Sequence, residues 1–223
     1  MYRHTTQIIT LTLLFFAVSG CTKKQAQSPS DPVVNHQDRT QQVDTIAWFT
    51  GSVDEAFTQA ANTNKPIFLY WGAEWCPPCH ELKATIFQRP EFIRQSRLFL
   101  PVYLDGDSER AQLYGEKFGV RGYPTVIIFS PAGEEVTRIP GGMDIQQYVG
   151  VMNMALNALR PVTDLVASVR GGHSLADADW NMLASYSWGQ DGGRVLGEAS
   201  LFDTATLLAT ACPSTLPIEK SRL

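Results

Sequence analysis

Two cysteines spaced as Cys-x-x-Cys, Cys76 and Cys79, are the side chains of this 223-residue chain best suited to covalent chemistry. They sit in Tyr70-Trp71-Gly72-Ala73-Glu74-Trp75-Cys76-Pro77-Pro78-Cys79-His80. A cysteine reacts as its thiolate, which the positive end of a helix dipole stabilises. An apolar, strand-like run, Pro66-Ile67-Phe68-Leu69-Tyr70-Trp71, leads into the motif, and a helical pattern, Glu81-Leu82-Lys83-Ala84-Thr85-Ile86-Phe87, leaves it. Strand, sharp turn and a dithiol opening a helix is a layout that makes a thiol reactive. Pro77 and Pro78 suit a helix start, because the amides of a first turn have no intrahelical partner. They also remove two amide donors to the Cys76 sulfur, leaving that of Cys79 inside the motif.

Three chemistries share this spelling, and a redox dithiol is favoured. A structural zinc half-site needs a second Cys/His pair at ligand spacing, and the sequence offers none. Cys76-x-x-Cys79-His80 also spells the c-type haem attachment motif, which would have the segment open a haem pocket rather than follow a sheet strand. In its plainer reading, His80 is an exposed residue of the first helical turn that favours the Cys76 thiolate when protonated.

The downstream sequence supports the redox reading. Tyr114-Gly115-Glu116-Lys117-Phe118-Gly119 ends a helix, Gly122-Tyr123-Pro124 forms a short loop, and Thr125-Val126-Ile127-Ile128-Phe129 begins a β-branched strand. With Trp75-Cys76-x-x-Cys79 upstream, this resembles the thioredoxin family and its periplasmic thiol:disulfide interchange domains. The resemblance spans roughly residues 47–158, half of the chain, and includes Glu74-Trp75 and Gly141-Gly142. It implies an α/β thioredoxin fold, a central mixed sheet flanked by helices. It also implies that Cys76 is the nucleophile and Cys79 the more buried resolving thiol. Pro124 would be a cis proline beside the dithiol, leaving the Tyr123 backbone free to pair with an extended substrate, and Trp75, Tyr123 and Pro124 would frame the docking surface. No cofactor and no metal is implied.

Two departures from the family stand out. The family's buried aspartate, six residues before the first cysteine, is Tyr70 here, and the lysine beside it aligns with Pro101. Glu74 is a substitute acid only if it is not simply an exposed rim carboxylate, and the exposed reading is preferred.

The thiol pair must be positioned by a real core, and an apolar fraction of 44% with 10% aromatics suffices for one domain and a smaller appendage. Net charge is −4 with no basic patch, which gives no support to nucleic-acid binding. At the N-terminus, Arg3 and His4 precede the apolar run Ile8-Ile9-Thr10-Leu11-Thr12-Leu13-Leu14-Phe15-Phe16-Ala17-Val18. It is too short to span a bilayer and suits a signal sequence. Val18-Ser19-Gly20-Cys21 resembles a bacterial lipoprotein box. Residues 1–20 are therefore expected to be removed and Cys21 to be lipidated, anchoring the protein to a bilayer. Ordinary cleavage near Gly20, giving a soluble periplasmic protein, is the alternative. Thr22 is not the aspartate that retains enterobacterial lipoproteins at the inner membrane. The expected location is thus the envelope of a Gram-negative bacterium, with the outer membrane favoured and the domain facing the periplasm. Residues 21–45 are polar and read as a flexible tether.

Residues 46–160 then read as the thioredoxin-like domain: a short strand at Ala47-Trp48-Phe49, a helix capped by Ser52 and Glu55, the strand at 66–71, and the dithiol helix to about residue 88. Next come one more turn or a short helix from Pro90, a strand at 97–104, a helix at 109–118 behind the turn Asp105-Gly106-Asp107-Ser108, a hairpin of 125–129 with 135–139, and a helix at 144–159. Residues 161–223 are expected to add a helical extension and a disordered tail, with helices at 162–170, from a Ser174/Asp177 capping box, and around 196–211. Cys212 reads as a bystander thiol.

These features describe a membrane-anchored thiol–disulfide oxidoreductase, a reductase by preference, acting on disulfide-containing or dithiol protein clients and fed by a membrane-embedded electron donor. The alternative is a non-catalytic binding module for a client or for copper, with Met143 as the further ligand suggested by position.

Overall fold

The computed structural model describes residues 45–158 and 160–223, and at their centre lies β1, Ile67–Gly72, buried at every position. β1 runs parallel to β2 (Leu100–Asp105) and antiparallel to β3 (Thr125–Phe129), which turns back as β4 (Glu135–Ile139). The sheet order is β2-β1-β3-β4. A strand covered on both faces reads as an unbroken apolar run, and Ile67-Phe68-Leu69-Tyr70-Trp71 is that run. Ile67, Leu69 and Trp71 enter one core with α1 (Val53–Thr63) and α4 (Glu109–Lys117). Phe68 and Tyr70 enter the other, with α2 (Pro77–Leu82), α3 (Pro90–Ser96) and α5 (Ile145–Ala158).

That second core continues into α6 (Val162–Arg170), α7 (Asp177–Ala184) and α8 (Leu201–Ala211) through Val162, Leu165, Val166, Trp180, Leu183 and Leu208. The described residues pack as one compact unit, so the helices after residue 160 share the core of the sheet. Among them, no helix is long and apolar enough to cross a membrane. The signal-like segment, Cys21 and most of the tether lie outside the described residues.

Several elements differ from expectation for identifiable reasons. Ala47-Trp48-Phe49 forms no strand, although the Phe49 N–H donates to the Pro101 carbonyl at 2.7 Å. Pro101 presents its carbonyl to the sheet edge but has no N–H to return the bond, so a ladder cannot propagate there. The dithiol helix is interrupted, because after α2 the chain takes a π-helical turn over Lys83–Phe87; α3 is the short separate helix that is one of the two expectations for Pro90. β2 begins three residues later than expected, at Leu100. The N-cap of α7 is Ala176, not Ser174; Asp179 accepts from the Ala176 N–H at 3.3 Å. The end of the chain, expected to be disordered, holds a last helix, α9 (Pro217–Arg222), whose Lys220 Nζ donates to the Cys212 carbonyl at 3.2 Å. The Ser52/Glu55 capping box is present: the Glu55 N–H donates to Ser52 Oγ at 3.2 Å and the Ser52 N–H donates to Glu55 Oε2 at 2.7 Å.

Candidate active site

Cys76 is the N-cap of α2, with Pro77 and Pro78 in the first turn behind it. The Cys79 N–H donates to Cys76 Sγ at 3.2 Å, and it is the amide that the two prolines leave available. The two cysteines are joined as a disulfide with Cα atoms 5.3 Å apart, so the structure shows the oxidised form. Both are buried, Cys76 at 2% and Cys79 at 0% exposure.

The edge of the site is built by two loops. Trp75, 65% exposed, stands next to the disulfide, and its indole N–H donates to Asp107 at 2.9 and 3.0 Å to the two carboxylate oxygens. Its ring meets Tyr123 edge to face at 6.0 Å, and the Tyr123 hydroxyl donates to the Gly106 carbonyl at 3.1 Å. Tyr123 packs against the cluster of Ala73, Cys76 and Cys79, and the Tyr123–Pro124 peptide is cis. Pro124 lines a groove of about 450 Å³ together with Pro78, Leu82, Gly141, Gly142 and Met143. The structure thus places Cys76, Cys79, Trp75, Tyr123 and Pro124 around one rim, with Met143 in the adjoining groove. Cys212 is elsewhere, buried in the second core, and burial pushes its thiol up.

The position of the family's buried acid is filled in a different way. Tyr70 is fully buried, its hydroxyl has no hydrogen-bond partner among the described residues, and its ring stacks on Tyr103 at 5.4 Å. Tyr103, rather than Pro101, is the β2 residue in register with Tyr70; Pro101 is level with Phe68. A Cβ at Gly72 would fall 2.2 Å from the Tyr70 hydroxyl, so glycine there makes room for the phenol. Burial holds the Tyr70 phenol far above its ordinary value, with Tyr103 and Glu74 adding to the effect. It therefore stays protonated at neutral pH. Glu74 is exposed and pairs with Lys83 Nζ at 2.7 Å; the Lys83 hydrogen bond, then its charge, hold the carboxyl below its usual range. His80 is exposed on α2, with Nε2 against the Glu74 carbonyl. No buried carboxylate stands behind the dithiol among the described residues.

Three contributors escape sequence reading. Asp107 looks like a turn residue, and nothing local announces its bond to Trp75. Arg138, fully buried in β4, shows only as a charge in an alternating strand. Gln190 reaches the active-site rim from the far end of the chain and carries no local signal at all.

Residues 53–156 match the family model of the thioredoxin-like domain. The chain is 30% identical over 100 residues to the thiol:disulfide interchange protein DsbD of Photorhabdus laumondii, covering 43% of this chain and 17% of that protein. It is 34% identical over 90 residues to the protein of the same name from Yersinia pestis, covering 38% of this chain and 15% of that one. The chain thus spans only 15–17% of the length of these relatives. Among solved structures, a thioredoxin from Thermus thermophilus superimposes with a TM-score of 0.47 at 22% identity, over 51% of this chain and 88% of that one. A DsbH oxidoreductase gives 0.45 at 19% identity, over 55% and 93%. With a mixed sheet of order β2-β1-β3-β4, a dithiol at a helix start and that family match, the chain carries a thioredoxin-like domain, to which it adds a helical extension beyond residue 160.

Proposed function

We propose that this protein is a thiol–disulfide oxidoreductase of the Gram-negative envelope, anchored through a lipidated Cys21, facing the periplasm and working as a protein-disulfide reductase. The observation that carries the activity is the Cys76–Cys79 pair at the N-terminus of α2, framed by Trp75 and the Tyr123–Pro124 turn. In the reduced protein, the Cys76 thiolate attacks one sulfur of a client disulfide. The client S–S bond breaks, the departing client thiolate takes a proton from solvent, and a Cys76–client mixed disulfide remains. Cys79 then gives its proton to water, because Tyr70 is held protonated and Glu74 is exposed and paired. The Cys79 thiolate attacks Cys76 Sγ, and the second client thiolate leaves. The client has gained two electrons and the protein has lost two, ending as the disulfide seen in the structure. A membrane-embedded dithiol donor would return the electrons. The preference for reduction comes from the Trp-Cys-Pro-Pro-Cys context, and the curated relatives named as interchange proteins fit the same chemistry.

Insulin reduction by dithiothreitol, followed by precipitation of the freed B chain, tests the activity. The full chain is expected to accelerate it in proportion to its concentration, and a Cys76→Ser chain not at all. A wild-type rate equal to dithiothreitol alone would remove the enzymatic reading.

A further inference from the structure

The loop between α4 and β3 carries Tyr123 and Pro124 to the dithiol, and it is held from both ends by groups outside the domain's own helices. At its start, the buried Arg138 donates from Nη2 to the Phe118 carbonyl and from Nη1 to the Gly119 carbonyl at 3.3 Å. At its end, Gln190 Nε2 donates to the Pro124 carbonyl at 3.0 Å. Gln190 belongs to the turn after α7, far along the helical extension. Arg138 Nη1 also donates to the Gln190 carbonyl at 2.8 Å, and the Ser187 N–H donates to the Arg138 carbonyl at 3.0 Å. One guanidinium therefore ties the turn of the extension to the start of the loop.

The amide of Gln190 is itself oriented. The Ser187 hydroxyl donates to Gln190 Oε1 at 3.2 Å, which leaves Nε2 facing Pro124. The turn is further fixed by Asp191, buried, which accepts from the Tyr186 hydroxyl at 2.7 Å and from the Val195 N–H at 2.9 Å. A second observation is the close backbone approach next to it. A Cβ at Gly192 (φ +61°) would fall 2.5 Å from the Gly119 carbonyl oxygen, so the extension meets the loop where only glycine fits. A helical cap that merely covers apolar surface needs none of these polar ties. The apolar contacts of α6, α7 and α8 already do that on the core side.

We infer that the helical extension is a positioning element for client docking: Gln190 holds the Pro124 carbonyl, and with it the Tyr123 backbone, beside the Cys76–Cys79 pair. The inference rests on the oxidoreductase reading. A protein disulfide that pairs with the Tyr123 backbone feels the position of this loop. A small disulfide that needs only a thiolate does not.

The test compares wild-type, Gln190→Ala and Gln190→Met chains on two substrates, insulin and the small aromatic disulfide 5,5′-dithiobis(2-nitrobenzoate), with circular dichroism to check the fold. Methionine fills the space of glutamine without a donor, so it keeps the test intact if alanine perturbs packing. Loss of one neutral hydrogen bond is expected to raise KM for insulin about fivefold in both variants, with kcat little changed. The rate with the small disulfide and the reduction potential should stay at wild-type values. Equal losses on both substrates, or no loss on insulin, would overturn the positioning role. A wild-type chain inactive on both substrates would instead bring down the oxidoreductase reading itself.

Discussion

A Cys79→Ser chain is expected to accumulate in covalent complex with disulfide clients and to lose turnover by at least about a thousandfold, as when one member of a catalytic unit is removed. The reason is geometric. Cys76 caps α2 and keeps the amide of residue 79 as its donor, which serine also supplies, so the first attack is preserved. The second attack needs a sulfur at position 79, and among the described residues no other thiol can take its place. Cys212 is buried in the second core with its thiol pushed up, away from the rim formed by Trp75 and Tyr123. Non-reducing electrophoresis after incubation with an oxidised client would show the complex, and dithiothreitol would release it. A Cys76→Ser chain should form none. Retained turnover in Cys79→Ser would mean that the resolving step runs through another thiol, whereas retained function without turnover is what the binding-module alternative requires.

Arg138→Ala is expected to cost about 3–5 kcal/mol of folding stability, the range for breaking a buried ion pair by removing one partner. Arg138 is 0% exposed, and its Nε lies 2.5 Å from Glu135 Oε1. Its removal strips the donors from the Phe118, Gly119 and Gln190 carbonyls and leaves Glu135 to Arg194 alone, 3.0 Å away and partly exposed. Urea unfolding followed by tryptophan fluorescence measures the loss. Arg138→Lys should recover little of it, because an ammonium cannot fork between a carboxylate and three carbonyls. A loss under about 1 kcal/mol for Arg138→Ala would put the network in the class of surface pairs and weaken the case that the extension is fastened through it.

Local chemistry can be read from this sequence, and tertiary contacts cannot. Cys76 and Cys79 are legible because their chemistry is local: spacing, the following prolines and the strand before them all lie within a dozen residues. The strands β1, β3 and β4 are legible for the same reason, since a doubly buried strand and a hairpin leave period and turn residues behind. Ala47-Trp48-Phe49 misleads because its β-like composition serves a different end. Trp48 packs against Phe68, Tyr70, Phe87 and Tyr103, and Pro101 prevents a ladder. The π-turn at Lys83–Phe87 leaves no such trace, because its residues are ordinary helix formers. Arg138, Gln190 and the Asp107–Trp75 bond are tertiary. Each joins residues far apart in sequence, and polar groups of this kind are specified by the partner rather than by their neighbours.

Redox titration of the Cys76–Cys79 pair in the full chain, equilibrated in dithiothreitol and glutathione buffers, bears on the whole account. A single two-electron transition near thioredoxin's potential, about −270 mV, is the outcome expected of a reductase. A transition near about −120 mV, the range of a strong periplasmic oxidant, would reverse the direction proposed for the electrons. No transition at all would contradict the dithiol chemistry on which the proposed function stands.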